Sequence, residues 1–246
     1  MFDFFHKQKS SADALFYHTD MHCHLVPGID DGQQEAGNAS KLVERQREWG
    51  FTRVFATPHV TQDTFENTPE TIEPAFEKLC RAVADRGVDI ELHHSAEYRL
   101  DGFFQEQLAA GNLRPFPNGY LLVENSFVQE AWNLDATLFD LKIRGYKPIL
   151  AHPERYGYYF AKPERYRQLK ESGTLFQINL LSLAGHYGKG QRKMAEELVD
   201  KGWVDFIGTD MHNDSHCASI DAYLRTKDFA RLEKRLGDHL LNDTAF

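Results

Sequence analysis

Two histidines spaced two residues apart close the first apolar stretch of the chain, within Asp20-Met21-His22-Cys23-His24. On a β-strand, residues i and i+2 share a face, so the two imidazoles point the same way and can grip one metal ion. A lone His-x-His is more often a pair of surface histidines. Here the motif has company. Thr57-Pro58-His59, Ala96-Glu97, Val123-Glu124, Ala151-His152-Pro153-Glu154-Arg155 and Thr209-Asp210-Met211-His212 each follow or end a short apolar run, and each delivers an imidazole or a carboxylate where the run stops. Together they read as a multinuclear metal site.

Placing those groups together requires many strand ends at one spot. Strand-like segments are expected at 19–23, 53–57, 90–95, 120–123, 147–151, 175–179 and 204–209. Helical patterns lie between them at 39–49, 70–86, 103–110, 134–144, 164–172 and 191–201, each followed by a glycine that suits a left-handed helix stop. Thr68 before Pro69 is a fitting helix start. Such βα alternation with short connections implies parallel strands. Closure into a seven-stranded TIM-like barrel explains why different strands aim ligands at one place, since barrel sites lie at the C-terminal strand ends. Of the seven strands, only the sixth, ending at Asn179, brings no candidate ligand.

With 246 residues, 41% hydrophobic and 26% charged, the chain fits one α/β domain over 1–246, with residues 1–17 as an extension and 18–246 as the barrel. The net charge of −9 carries no offsetting basic block, which argues against nucleic acid as a partner. Three scattered cysteines give no disulfide framework, so a reducing cytoplasm is expected. Charges interrupt the aromatic opening before any signal-peptide core forms, and no run approaches the roughly 20 apolar residues of a membrane span.

These motifs, with Ile29-Asp30-Asp31-Gly32, resemble the PHP (polymerase and histidinol phosphatase) family, in particular its bacterial capsule and exopolysaccharide protein-tyrosine phosphatases. The likeness runs from His22 to about Asn213. It implies a distorted seven-stranded βα barrel holding three metals. Five histidines (His22, His24, His59, His152, His212) and four carboxylates (Asp31, Glu97, Glu124, Asp210) form the implied ligand set. Carried over, His22, His24, Glu97 and Asp210 hold one ion, Glu97, Glu124 and His152 a second, and Asp31, His59 and His212 the third. Nitrogen and oxygen donors without thiolate suit divalent manganese first, with iron or zinc as alternatives. Such ions lower the pKa of bound water to about 7 and neutralise a phosphate under attack, so no protein nucleophile is needed.

Arg155, three residues after His152, is expected to fork onto a phosphate oxygen, the alternative being a pair with Glu154 or a surface acid. Tyr156, Tyr158, Tyr159 and Phe160 follow it, and exposed rings there would stack on a substrate phenyl ring or else pack on the rim. Cys80 to Arg86 matches Cys-x5-Arg, but it lies in a helical pattern without glycine and reads as coincidence. Asp30 is a candidate to orient a ligand histidine, while His186 and His216 sit in loops that can approach the rim. Members of the family usually carry a further arginine after the last Asp-x-His; this chain has Asn213-Asp214-Ser215-His216 there, which leaves the second half of the phosphate clamp unidentified.

The expectation is a metal-dependent protein-tyrosine phosphatase. Resemblance implies the tyrosine-rich tail of a membrane-anchored kinase of polysaccharide synthesis as its partner. A small-molecule phosphatase of the histidinol-phosphatase type, a PHP nuclease and a non-catalytic metal-binding scaffold are the rivals. The oligomeric state is not legible.

Overall fold

Parallel strands alternate with helices from Thr19 onward in the computed structural model, which describes residues 15–236 and 239–246. The strands are β1 (Thr19–Cys23), β2 (Arg53–Ala56), β3 (His59–Val60), β4 (Glu91–His94), β5 (Glu97–Arg99), β6 (Tyr120–Glu124), β7 (Lys147–Ala151), β8 (Leu175–Asn179) and β9 (Phe206–Gly208). The helices are α1 (Ala36–Trp49), α2 (Pro69–Asp85), α3 (Gly102–Ala110), α4 (Leu134–Ile143), α5 (Pro163–Glu171), α6 (Leu180–Ala184), α7 (Lys189–Asp200), α8 (Asp214–Leu224) and α9 (Lys227–Leu236). Most of the opening segment lies outside the described residues, but Leu15 and Tyr17 are buried, and the Leu15 N–H donates to the Trp49 carbonyl.

Every strand pairing is parallel, in the orders β1-β2-β4 and β3-β5-β6-β7-β8-β9. The two sheets meet where Cys23 bridges Met211, and the His24 N–H donates to the Met211 carbonyl at 3.0 Å. The result is one curled parallel sheet wrapped by helices. Two short strands were not expected: β3 follows the second expected strand after Thr57-Pro58, and β5 follows the third after Ser95-Ala96. Proline has no N–H for a sheet ladder and bends the chain at the preceding residue. The break has a use: β3 and β5 then pair with His59 directly opposite Glu97.

Two apolar clusters hold the layers together. The larger lies between sheet and helices and includes Leu42, Phe51, Leu79, Phe104, Leu138, Phe176 and Leu198. The smaller gathers Met21, Phe55, Phe116, Leu122, Ile149 and Phe206. Phe246 packs against it, within 5.5 Å of the rings of Phe55, Phe116, Tyr120 and Phe206. Asn242 ties this C-terminal segment to the beginnings of strands, donating to Thr19 and Ile207 and accepting from the Ile207 N–H. One end of the curled sheet is thereby filled with hydrocarbon. The opposite ends of the strands are left for polar work. Helices α8 and α9 extend the expected set; α9 buries Phe229, Leu232 and Leu236 on one face.

Candidate metal centre and phosphate pocket

The face shared by His22 and His24 brings their Nε2 atoms to 3.2 Å of each other at the end of β1. Cys23, between them, is also buried, and its thiol contacts the Phe55 carbonyl. Each imidazole is fixed through its other nitrogen: His22 Nδ1 lies 2.8 Å from Gln177 Oε1, and His24 Nδ1 2.8 Å from Asp30 Oδ2. His212 Nδ1 is likewise 2.9 Å from the Asp210 carbonyl. Holding one ring nitrogen directs the lone pair of the other toward the centre, which is how proteins orient metal-binding histidines. Asp30 therefore takes the orienting position expected of it.

Glu97 is the hub. Fully buried at the start of β5, its Oε2 lies 3.2 Å from His22 Nε2, 3.3 Å from His24 Nε2 and 3.1 Å from His59 Nδ1, while Oε1 lies 2.8 Å from His152 Nε2. Asp210 Oδ1 stands 3.5 Å from His22 Nε2 and 3.3 Å from His24 Nε2. Asp31 Oδ1 joins His59 and His212, at 3.6 and 3.4 Å from their Nε2 atoms. Glu124 Oε1 is 3.5 Å from His59 Nδ1, and its Oε2 3.8 Å from His152 Nε2.

Four overlapping groups result: His22-His24-Asp210, His24-Asp31-His59-His212, His22-Glu97-His152 and His59-Glu97-Glu124. All nine expected ligands are brought together. The grouping overlaps more than the carried-over assignment: His59 stands with Glu97 and Glu124 as well as with Asp31 and His212, His24 joins that last pair, and His22 joins Glu97 and His152.

Whether these residues suit cations can be judged from their own chemistry. Glu97 Oε2, Glu124 Oε2, His59 Nδ1 and His152 Nδ1 are buried without a hydrogen-bond partner. Buried polar atoms left bare are costly, and a cation in their midst removes the cost for the acceptors. Electrostatics agree. Burial opposes ionisation of Glu97, yet the imidazoles of His22, His59 and His152 hold its pKa well below the usual carboxylate range. Burial also opposes protonation of His22, but Glu97 and Asp210 raise it to about 9. Burial and the adjacent Glu97 push Glu124 the other way, up to about 7. Two carboxylates packed this closely among imidazoles call for shared positive charge. His152, lowered by burial to about 4, stays neutral, as a ligand must be.

Two backbone positions show the local cost of this packing. His152 and Asp210 adopt left-handed φ values of 34° and 50°, which non-glycine residues rarely occupy and which recur at functional sites. Gly208 lies so close to His22 that a Cβ there would stand 2.6 Å from the histidine Cβ.

A pocket of about 270 Å3 opens above the cluster, floored by Asp31, His59, Asp210 and His212. Arg155 reaches it from the turn after β7, its Nη1 donating to Asp210 Oδ2 at 2.9 Å. The guanidinium is clasped between Phe127 and Tyr187, 4.5 and 4.1 Å from their ring centres. Glu154, the alternative partner, turns away and accepts from the Asn179 N–H. Where the expected further arginine is lacking, Asn213 and His216 line the pocket instead. His186 stays behind His216, their rings 4.7 Å apart.

The aromatic run after Arg155 requires a correction. Tyr156 is 0% and Tyr159 2% exposed, so neither offers a face to a ligand. The Tyr156 hydroxyl donates to the Ala151 carbonyl and accepts from the Asn125 N–H; Tyr158 donates to the Ser126 carbonyl, and Tyr159 to Glu130. These rings fasten the 125–130 segment, and that segment carries Phe127, the aromatic wall the pocket does have. Phe127 and Tyr187 have no spacing that marks them in sequence.

The sixth strand was more informative than its lack of ligands suggested. Gln177 and Asn179 on β8 share a face, one holding His22 and the other donating to Asp210 Oδ2 at 2.5 Å. Polar residues alternating inside an otherwise apolar strand were the available signal. Asp20 also stays out of the ligand set; it binds the Thr209 N–H and hydroxyl and Gln46, locking β1 to β9 and α1. His94 pairs outward with Glu73, and Cys80 lies in helix α2, as its pattern implied.

A family model described as capsular polysaccharide synthesis, CpsB/CapC, matches residues 18–243. The tyrosine-protein phosphatase YwqE of Bacillus subtilis is 28% identical over 195 residues, covering 79% of this chain and 77% of that protein. The tyrosine-protein phosphatase CpsB of Streptococcus pneumoniae is 27% identical over 205 residues, covering 79% and 82%. A chain from the crystal structures of those two proteins, described as unique metal-dependent tyrosine phosphatases, superposes with a TM-score of 0.77 at 26% identity over 93% of this chain and 96% of that one. The phosphotriesterase homology protein of Escherichia coli, at 13% identity and a TM-score of 0.53 over 89% and 92% of the two chains, shares the fold.

Proposed function

The chain belongs to the CpsB/CapC family of capsular polysaccharide synthesis, and from that premise we propose that it is a metal-dependent protein-tyrosine phosphatase. One observation carries the reading: nine histidine and carboxylate side chains converge, through buried Glu97, beneath a pocket whose wall presents the Arg155 guanidinium. We assign three divalent cations to them, manganese first and iron or zinc as alternatives. His22, His24, Glu97 and Asp210 hold one, Glu97, Glu124 and His152 a second, and Asp31, His59 and His212 the third. Cations held there supply an activated water and neutralise phosphate charge.

The protein's own groups do the rest. Glu97, having two carboxylate oxygens, would be shared by the first and second ions. Arg155, steadied by Asp210, Phe127 and Tyr187, directs its remaining N–H groups at a phosphate oxygen. Phe127, stacked over His152 at 5.5 Å, offers the phenyl ring of a tyrosine a flat apolar neighbour. The curled sheet is read as a distorted seven-stranded barrel with β2 and β3 counted as one strand and β4 and β5 as another, a reading supported by the Cys23–Met211 bridge. The partner in this reading is the phosphotyrosine tail of a membrane-anchored bacterial tyrosine kinase, met in the cytoplasm.

Initial rates on a phosphotyrosine peptide, a phosphoserine peptide, histidinol phosphate and single-stranded DNA, all in manganese, test the assignment. The phosphotyrosine peptide should lead by at least tenfold in kcat/KM. A lead for histidinol phosphate would transfer the chain to small-molecule phosphatases, and turnover of none would leave a binding protein.

A further inference from the structure

A second cleft, of about 720 Å3, runs beside the phosphate pocket. One bank is residues 61–64, which follow His59 on the chain; the other lies within residues 126–133, which include Phe127. Each bank is therefore continuous along the chain with a wall residue of the phosphate pocket. Arg99 also lines the cleft, and its Nε reaches Glu124 Oε1 of the ligand set at 2.9 Å. The linings of the two cavities adjoin along the chain, Ser126 of the cleft preceding Phe127 of the pocket and Thr61 lying two residues beyond His59. A polypeptide anchored by a phosphate over the cluster would have to lay its adjoining residues somewhere on this rim, and the cleft is the depression that begins there.

Its chemistry is specific. Trp132 lines it and is 94% exposed, an indole left in water at the place where binding interfaces most often keep their anchors. The charge is acidic. Glu130 is neutralised by Arg165, and Arg99 by Glu124. Asp101 caps α3, accepting from the Phe104 and Gln62 N–H groups, and Asp63 accompanies it; among the described residues neither forms an ion pair with a basic side chain. The rest of the lining is mainly neutral and polar, including Gln62, Gln105, Gln129 and Asn133.

We propose that this cleft receives the polypeptide flanking the phosphotyrosine, favouring a basic side chain beside Asp63 and Asp101 and an apolar one against Trp132. The proposal rests on the phosphotyrosine reading above. It makes the enzyme selective for sequence context, a property the metal cluster cannot supply, since clustered cations accept any accessible phosphate.

Three substrates test it with the manganese-loaded protein: a phosphotyrosine peptide flanked by lysine and leucine, the same peptide with glutamate and serine in those places, and p-nitrophenyl phosphate. The lysine-leucine peptide should exceed the glutamate-serine peptide in kcat/KM by about three- to tenfold. Trp132→Ala should lower kcat/KM on the preferred peptide about tenfold, and Asp63→Asn should erase most of the charge preference. Both variants should leave p-nitrophenyl phosphate turnover unchanged, which also shows that they are folded. Equal rates on the two peptides, or variants that change all three substrates in parallel, would overturn the cleft assignment while leaving the phosphatase reading intact. Inactivity of the wild type on all three would overturn both.

Discussion

Asp210 joins the two halves of the site in a single side chain. Its Oδ1 faces His22 and His24, while its Oδ2 accepts from Arg155, Asn179 and Tyr187. Electrostatics on the metal side and geometry on the phosphate side are thus coupled, and Arg155 should be sensitive to shape as well as charge. Arg155→Lys keeps the cation but loses the planar fork and its clasp between two rings. The expected cost is about 1.5 to 3 kcal/mol, a ten- to hundredfold fall in kcat/KM on a phosphotyrosine peptide with metal content retained. A value near wild type would reduce Arg155 to a structural partner of Asp210.

A proton competes with the cation at Glu124. Burial and the neighbouring Glu97 raise this carboxyl above the usual carboxylate range to about 7, so below that pH it carries the proton that a ligand must shed. Metal affinity should therefore fall as pH drops through 7, and manganese uptake at pH 7 should release protons. Titration calorimetry in buffers of different ionisation enthalpy measures that release. Heats independent of the buffer would remove Glu124 from the set of groups that titrate on binding.

Among the elements, β8 and β9 teach how much of the site was written in the sequence. The strand-end rule led to eight of the nine candidate ligands, Asp31 being implied only by the resemblance, because a parallel α/β architecture puts all C-terminal strand ends on one side, so a motif at the end of a run carries its own position. Orienting groups obey no such rule. Gln177 and Asn179 matter only because β8 lies beside β9 and near His22, a fact of tertiary pairing. The short strands β3 and β5 were not read from the sequence, although Pro58 announces the break before β3; nothing announces the one at Ser95-Ala96 before β5. The choice between stacking on a substrate and packing on the rim was not legible for Tyr156 and Tyr159 for the same physical reason, and packing is what the structure has. An aromatic run beside a motif looks exposed until the partners that bury it, Ala151, Asn125 and Glu130, arrive from elsewhere in the chain.

Close approach of β9 to β1 also yields a test at this scale. A Cβ on Gly208 would meet the His22 Cβ at 2.6 Å and Gln177 Nε2 at 2.9 Å, neither with room to yield while the hydrogen bond between those residues holds. Gly208→Ala should therefore displace His22, cost about 1 to 3 kcal/mol of stability and lower metal content. Thermal melting with and without manganese separates the two effects: the variant should lose most of the manganese-induced rise in Tm. An unchanged rise would show that the contact can relax without disturbing the ligand.

At the scale of the molecule, the chain divides its work between two ends of one curled sheet. Phe246 and its aromatic neighbours fill one end, while nine donors occupy the other, and the excess of 37 acidic over 28 basic residues gives bound cations a favourable surrounding field. No described helix is long and apolar enough to cross a membrane. Nor does the chemistry call on Cys23, Cys80 or Cys217: burial raises all three thiols above their ordinary range, away from the thiolate a nucleophile requires. The account stands on cations held by a shared, bridged ligand set. The direct measurement is a titration of chelator-stripped protein with manganese, following phosphotyrosine peptide hydrolysis and bound metal in the same samples. Activity should be absent at the start and should rise to saturation as bound metal approaches three ions per chain. Full turnover in the stripped protein, or saturation at one ion, would contradict it.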